Sequence, residues 1–255
     1  MNRRLLSVIG FSALCLALAL LLPAMPQPPG YHDFADRRVM FGIANFLDVV
    51  SNAGFLLAGL AGLVVVLHRR TAFEFRAERW PYAIFFLGVL LTAAGSAYYH
   101  LAPDNPRLFW DRLPMTVAFM ALVCAQTVDR IQVRVGLLLL VPALFLGATS
   151  VIYWRATEIA GSGNVLPYAV LQGYAGVIVL LIAVLYPSRY TRGADIYWAL
   201  AAYLASKLFE ALDDALLAAG GLVSGHSLKH LAAAAAGVVL CRMLWLRTLD
   251  GKRPP

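Results

Sequence analysis

The sequence predicts an all-α fold, a polytopic transmembrane helical bundle with a seven-helix core preceded by an extra N-terminal helix. Apolar residues make up 61% of the 255 residues and charged residues 14%, and the mean hydropathy is +0.73. The apolar residues fall in blocks of about 20, enough to cross a hydrocarbon core about 30 Å thick. A chain in lipid must satisfy its own backbone hydrogen bonds, which favours helices as the spanning elements.

Eight apolar blocks separated by short connections are the predicted helices. The seventh block is the least apolar, because it carries Lys207, Glu210, Asp213 and Asp214. In chain order the blocks are 5–24, 45–67, 82–102, 113–128, 135–153, 165–186, 195–218 and 227–246.

The blocks divide the chain into three parts. Residues 1–29 are an N-terminal anchor helix with an outer linker, 30–246 are the seven-helix core, and 247–255 are an inner basic tail. The first block is alternatively a cleaved signal peptide. Its apolar stretch is longer than a usual signal-peptide core, and the segment 23–26 is a poor cleavage site, which favours an uncleaved anchor.

The distribution of Lys and Arg predicts the orientation in the membrane. If the N-terminus is inside, 14 of the 21 basic residues lie in inner segments, as the positive-inside rule requires. We therefore expect a protein integral to a membrane, the inner membrane of a bacterium, with both termini cytoplasmic. This bias accounts for the net charge of +7 without a nucleic-acid partner. The six outer basic residues are Arg37, Arg38, Arg107, Arg112, Arg155 and Lys229.

Five polar side chains fall at the same, outer ends of three predicted helices. His100 lies at the outer end of the third block, Ser96 lies one turn deeper, and Asp111 lies just before the fourth block, where the descending helix is predicted to start. His226 and His230 begin the eighth block and share one helix face. Two histidines four residues apart, with a third on another helix, match the ligands of a catalytic zinc, which keeps one coordination position open for water.

Each of these residues also has a purely structural explanation. A single histidine at a helix end, such as His100, is usually an interfacial hydrogen-bonding group. Asp111 could be a carboxylate favoured by a helix N-terminus, and Ser96 could bond a carbonyl of its own helix. Their convergence at one level favours a metal site, since ionisable groups within membranes are costly and usually mark function.

The motifs resemble those of the alkaline ceramidases, members of the CREST superfamily of seven-helix membrane hydrolases. The resemblance rests on the segment Gly95-Ser-Ala-Tyr-Tyr-His100, on Asp111, and on the segment Ser224-Gly-His-Ser-Leu-Lys-His230. The segment Asn45-Phe-Leu-Asp-Val-Val-Ser-Asn52 is also similar to the start of that family's first core helix. The resemblance covers about residues 30–246, so the first helix is an addition to the family's core.

This resemblance implies a zinc-dependent hydrolase of ceramide or a related N-acyl membrane lipid. His100, His226 and His230 would hold Zn²⁺ in such an enzyme. Asp111 would be the general base for the attacking water, and Ser96 would donate a hydrogen bond to the oxyanion. The alternative is a non-catalytic seven-helix receptor or lipid-binding protein with a structural zinc, in which Asp111 would be the fourth ligand.

The resemblance bears on calcium as well, because eukaryotic alkaline ceramidases have an acid-rich Ca²⁺ site before the first core helix. The acids in the corresponding region of this chain are fewer and rearranged, and Asp33, Asp36 and Asp48 are the candidates. We expect these carboxylates instead to pair with nearby basic residues at the outer rim, namely Arg37, Arg38 or Arg112.

The charged residues of the seventh block have two interpretations. Lys207, Glu210 and Asp214 share a helix face, so an internal network of lysine and carboxylate is the simpler one. The sharper hypothesis is that one of them supports the metal ligands. A carboxylate that accepts the free ring N–H of a ligand histidine would fix its tautomer, and Asp214 is the best candidate by position.

Overall fold

The computed structural model describes residues 3–249 and is a bundle of α-helices, which confirms the predicted fold class. Seven helical segments in this range are long and apolar enough to cross a membrane. The helices are α1 (Arg3–Leu21), α2 (Phe46–Val50), α3 (Ala53–His68), α4 (Arg79–Leu101), α5 (Asn105–Arg130), α6 (Val133–Ile159), α7 (Leu166–Leu185), α8 (Asp195–Ala211), α9 (Asp213–Gly220) and α10 (Gly225–Leu246).

The helices pack mostly against their neighbours in sequence, and α10 closes the bundle. Helices α3, α4, α5 and α6 are adjacent in that order, α10 lies against both α3 and α8, and α7 packs on α5 and α6. Helix α1 packs mainly on α7 and has no buried residue, so it lies outside the core of the bundle. The other core helices meet through buried side chains such as Phe86, Ile178 and Leu240.

The predicted seventh helix, 195–218, is two helices that meet at Leu212. The Leu212 backbone leaves the helical region, with φ −105° and ψ 22°. This corner lets the Asp213 carboxylate accept hydrogen bonds from two distant backbone N–H groups, those of His226 at 2.7 Å and Ala35 at 3.1 Å. The helix that was predicted to be continuous is therefore interrupted at the point where the Asp213 side chain binds other parts of the chain.

The predicted fourth helix, 113–128, begins eight residues earlier than expected, at Asn105. The Asp104 carboxylate caps it by accepting from the backbone N–H of Arg107 at 2.7 Å, and a proline lies in its first turn. Both features are typical of helix starts. Asp111 consequently lies in the second turn of α5 and not at its first residue.

The second predicted block, 45–67, is also interrupted. Its helical residues are divided between α2 and α3, which meet at Ser51 and Asn52. The Asn52 side chain donates to the carbonyl of Asp48 at 2.7 Å, which satisfies a backbone acceptor at this junction. The interruption turns the buried Ser51 side chain toward α10.

The predicted inner tail, 247–255, begins inside the fold. Arg247 is 1% exposed and donates to the Asp129 carboxylate at 2.6 Å and to the carbonyl of Ala72 at 2.8 Å. These contacts connect the end of α10 to α5 and to the connection after α3. The remaining positions of the predicted tail, 250–255, lie outside the described residues.

Candidate metal centre

Three buried histidines form one cluster at one end of the bundle, which we call the histidine end. His100 lies in the last turn of α4, and His226 and His230 lie in the first two turns of α10. They are 1%, 6% and 3% exposed, and their ligand nitrogens all lie within 4.8 Å of one another. The structure therefore brings together the three histidines that the sequence predicts as ligands, in a group that could hold a metal ion.

One pair of ring nitrogens has the spacing expected for ligands of a shared zinc ion. Nε2 of His226 lies 3.2 Å from Nε2 of His100. Two nitrogens bound to the same tetrahedral zinc at about 2.0–2.1 Å would be about 3.3 Å apart. Among the described residues, the group that could hold a metal has three histidines and no fourth protein ligand.

Two glycines allow the helices to approach closely at this end. A Cβ atom on Gly95 would lie 2.1 Å from the carbonyl oxygen of Trp110, so α4 touches the backbone of α5 beside Asp111. A Cβ atom on Gly225 would lie 2.2 Å from the carbonyl oxygen of Phe209. The start of α10 is therefore pressed against the α8–α9 corner, which sets the depth of His226.

Ser96 and Asp111 are brought together across the contact between α4 and α5. Ser96 is 2% exposed, Asp111 is half-buried, and their side chains are hydrogen-bonded to each other. The serine hydroxyl is the donor, because an ionised carboxylate only accepts. The Asp111 carboxylate is thus held on the wall of α5 that faces α4.

Ser51 orients one of the candidate ligands, and the sequence analysis did not identify it. Its Oγ lies 2.8 Å from Nδ1 of His230 and donates to the carbonyl of Asp48 at 3.1 Å. A serine hydroxyl has one proton, so Ser51 accepts from the Nδ1–H of His230 and leaves Nε2 free for a metal. The only sequence signal was its position in the segment 45–52.

Asp214, the carboxylate favoured by position for this role, lies elsewhere. Its side chain is on the exposed side of α9, and the hydroxyl of Ser51 takes the place that was expected for it. The side-chain carboxylate of its neighbour Asp213 instead holds the start of α10, because it accepts a hydrogen bond from the backbone N–H of His226. The α8–α9 corner changes which of the two acids faces the core, because it breaks the helical register.

Lys207 and Glu210 form the predicted ion network, and it includes a residue of α10. Nζ of Lys207 lies 2.8 Å from Oε2 of Glu210, and Nζ of Lys229 donates to Oε1 of the same carboxylate. Lys229 lies between the two histidines of α10 in sequence. Its proximity to Glu210 could not be read from the sequence, since it depends on how α8 and α10 pack.

The candidate calcium ligands are separated into three environments. Asp33 pairs with Arg37 at 2.9 Å and Asp36 with Arg38 at 2.7 Å, which confirms the predicted pairing for these two acids. The hydrogen bond from the Arg38 side chain lowers the pKa of Asp36 below its ordinary value of 3.8.

Asp48 does not pair with an arginine, contrary to the expectation. It is fully buried, accepts from Ser227 at 2.6 Å and Ser224 at 3.2 Å, and leaves its Oδ2 without a hydrogen-bond partner. Arg112 was also expected to pair with one of these acids. It is instead buried near α6 and α7, against the rings of Trp154 and Tyr168, at 4.3 and 4.7 Å.

The segment before α2 covers the histidines. The ring of Phe34 is 7% exposed and packs edge-on against His100 and His226, with ring centroids 4.6 and 4.4 Å apart. The next backbone N–H, that of Ala35, is held by Asp213. Phe34 therefore shields the cluster on the side away from the helices, a role that no sequence pattern indicated.

An apolar cavity begins directly below the site, toward the opposite end of the bundle. It encloses about 820 Å³ of empty space, counting its open mouth, and is lined by side chains of α3, α4, α5, α7, α8 and α10. Three of its lining residues each lie one helical turn from a site residue on the same helix. These pairs are Thr92 with Ser96, Met115 with Asp111, and Ala233 with His230.

Comparison of the chain with protein-family models and with curated protein sequences finds no match. The protein is an integral membrane protein made of helices, and it has a buried three-histidine cluster that could hold a metal ion above an apolar cavity.

Proposed function

We propose that this protein is a zinc-dependent hydrolase that cleaves the amide bond of ceramide or a related N-acyl lipid within the membrane. The observation that carries the proposal is the position of the three-histidine cluster, which lies above an apolar cavity at the end of the bundle where Ser96 and Asp111 interact. A lipid could place its acyl chain in the cavity and its carbonyl beside the histidines. The residues on which the resemblance to alkaline ceramidases rests all lie at the histidine end of the bundle.

The histidine set fits a catalytic ion better than a structural one. His100, His226 and His230 would hold the zinc, and structural zinc sites usually have four protein ligands. Asp111, the fourth ligand required by the structural alternative, is hydrogen-bonded by Ser96. Zinc bound by three histidines supplies a Lewis acid that polarises a carbonyl and activates water.

Asp111 is the group suited to move protons in this reaction. As general base it takes a proton from the attacking water and then delivers it to the leaving nitrogen, while the C–N bond breaks and a C–O bond forms. The products are a fatty acid and an amine. Ser96 positions Asp111 and can turn its hydroxyl toward the oxyanion that develops on the carbonyl.

The cavity supports a substrate with a long acyl chain. Its lining is almost entirely apolar, as is typical of sites that bind apolar ligands. Helices α7 and α8 make few contacts with each other, which leaves that side of the cavity as a route from the lipid phase.

The first test is the zinc content and the activity of purified Asp111→Asn protein. We expect one zinc per chain, as in the wild type, with turnover of a fluorescent ceramide and of N-acyl amides reduced at least ~100-fold. His226→Ala combined with His230→Ala should lose both zinc and activity. Full activity in Asp111→Asn would eliminate its proposed role, and zinc without turnover of any N-acyl lipid would favour the receptor alternative.

The excess of Lys and Arg in alternate connections supports cytoplasmic termini and a histidine end that faces the periplasm. Fusing a reporter that is active only in the cytoplasm to residue 249, and separately to the Asp104 connection, tests this orientation. Activity of the first fusion and silence of the second are the expected results. The reverse pattern would put the site on the cytoplasmic face.

A further inference from the structure

Two ammonium groups share one carboxylate beside the candidate metal centre. Lys207 and Lys229 each bond a different oxygen of Glu210. The Lys229 side chain is only 15% exposed, and that of Glu210 is 29% exposed. Two positive charges and one negative charge therefore occupy a partly buried position, where charge imbalance is more costly than in water.

The nearest other carboxylate does not pair with either lysine. Asp111 forms no ion pair with either lysine, although its charge interacts with that of Lys229 and adds a second negative charge to the cluster. Within the described residues, the lysines' ion pairs are those with Glu210. Arg112, the residue after Asp111, bonds the amide oxygen of Gln27 at 2.7 Å and adds a further positive charge.

The lysines each lie one helical turn beyond a residue that lines the apolar cavity. Tyr203 lines the cavity, and Lys207 lies one turn beyond it toward the histidine end, with its Nζ 5.9 Å from the tyrosine ring. On α10, Ala233 lines the cavity, and Lys229 lies one turn beyond it toward the same end. Both ammonium groups therefore lie where the polar end of a lipid would be, if its acyl chain filled the cavity.

We propose that the lipid bound here carries an anionic group, a carboxylate or a phosphate, close to its amide nitrogen, and that Lys229 and Lys207 bind that group. This rests on the proposed function and narrows its substrate class, because ceramide carries no charge. An anion at this point would balance the second ammonium group with charge-assisted hydrogen bonds. Counted with Asp111 and Arg112, the cluster has three positive and two negative charges, so a neutral headgroup would leave one positive charge uncompensated.

The test compares two amides that differ in one charged group, N-palmitoylglycine and N-palmitoylethanolamine. We expect the wild-type protein to hydrolyse the carboxylate-bearing amide with a kcat/KM at least about tenfold higher. Lys229→Gln should reduce that ratio about tenfold, and Lys229→Arg should retain most of it. Arg37→Gln, which removes an exposed cation at the same end, is the matched control and should leave the ratio unchanged.

Binding separates this inference from the hydrolase proposal. Zinc-loaded Asp111→Asn protein is titrated with both amides and with N-palmitoyl-O-phosphoethanolamine. Tighter binding of the anionic lipids, lost in Lys229→Gln, supports the inference even if no lipid is hydrolysed. Whichever of the two anionic lipids binds with the higher affinity identifies carboxylate or phosphate as the group recognised.

Equal affinity for charged and neutral amides, or preference for the neutral one, would overturn the inference and leave the hydrolase proposal intact. Lys207→Gln is the second variant, should Lys229→Gln fail to fold, because the Lys207 side chain is 35% exposed and its removal leaves the Lys229–Glu210 pair in place. An unchanged preference in Lys207→Gln would also count against the inference.

Discussion

The hydroxyl of Ser51 shows how one side chain can prepare a metal ligand. Its single proton goes to the Asp48 carbonyl, so its lone pair holds Nδ1–H of His230 and directs Nε2 into the cluster. His100 has no such support, since its buried Nδ1 lacks a hydrogen-bond partner among the described residues. The three ligands are therefore not equally oriented before a metal binds.

Replacing Ser51 by alanine should weaken zinc binding without removing a ligand. Loss of an outer hydrogen bond to a metal-bound histidine typically lowers metal affinity about 10–100-fold, because the tautomer and ring angle are no longer held. Competition with a chromogenic chelator measures the zinc dissociation constant of the wild type and of Ser51→Ala.

Ser150→Ala is the control for this measurement. Ser150 is equally buried, but it lies on α6 and bonds the carbonyl of Gly147 in its own helix, so its loss should leave zinc affinity unchanged. A Ser51→Ala protein that binds zinc as tightly as the control would show that His230 needs no such support.

At the scale of helices, the interruptions are what assemble the site. The break between α2 and α3 directs Ser51 to α10, and the corner between α8 and α9 frees Asp213 to hold the backbone of His226. Both interruptions fall within apolar blocks that the sequence predicts to be single continuous helices. At the α8–α9 corner the Asp213 side chain bonds distant backbone groups, whereas at the α2–α3 break the bonds to backbone are local, to the Asp48 carbonyl, and the distant bond is to the His230 ring.

The contact between α10 and the α8–α9 corner should be intolerant of any added atom. Gly225→Ala would place a Cβ 2.2 Å from a backbone oxygen, so we expect a loss of about 1–3 kcal/mol of stability and a lower melting temperature in detergent. Zinc content should fall as well, because His226 would move with the start of α10.

Gly220→Ala is the matched substitution at the end of α9, where an added Cβ would meet nothing within 4 Å. It should leave both the melting temperature and the zinc content unchanged. If Gly225→Ala had the same melting temperature as Gly220→Ala, the close packing of the α10 N-terminus against the α8–α9 corner would be refuted.

The whole molecule has polar networks at both ends and an apolar space between them. Asp129 joins Arg247 and Tyr82 at the opposite end, with contacts of 2.6 and 2.7 Å, which connects α4, α5 and the end of α10. Buried ion pairs of this kind specify how the helices meet more than they stabilise the fold. The cavity lies between these ends, and α7 and α8, which both line it, make few contacts with each other.

Filling the cavity should reduce turnover of long-chain lipids and leave the metal centre intact. Gly176 lines the cavity, and a Cβ added there would meet nothing within 4 Å, so Gly176→Leu can begin a side chain at the cavity wall. We expect kcat/KM for a palmitoyl amide to fall by about tenfold, with less effect on a butanoyl amide, and an unchanged zinc content.

Gly173→Leu provides the comparison, because Gly173 is exposed one turn away on the same helix, also has open space beside it, and does not line the cavity. Its kinetics should match the wild type for both chain lengths. Equal loss for short and long chains in Gly176→Leu would mean that the acyl chain does not occupy this space.

Composition and periodicity alone determined the helical membrane fold, the approximate limits of most helices, and the three histidines with Ser96 and Asp111 as candidates. These are local properties, since a span needs only a run of apolar residues and a shared helix face needs only a fixed spacing. The helix start at Asn105 was missed although its signals, Asp104 and a proline, are local as well.

Only the tertiary structure decided which polar groups meet. The contacts of Ser51 with His230, Lys229 with Glu210 and Phe34 with His226 join residues far apart in the chain. No spacing rule within one helix predicts them. They depend on which helices are neighbours and on glycines such as Gly95 and Gly225 that set how closely the helices approach, and these are properties of the packed bundle.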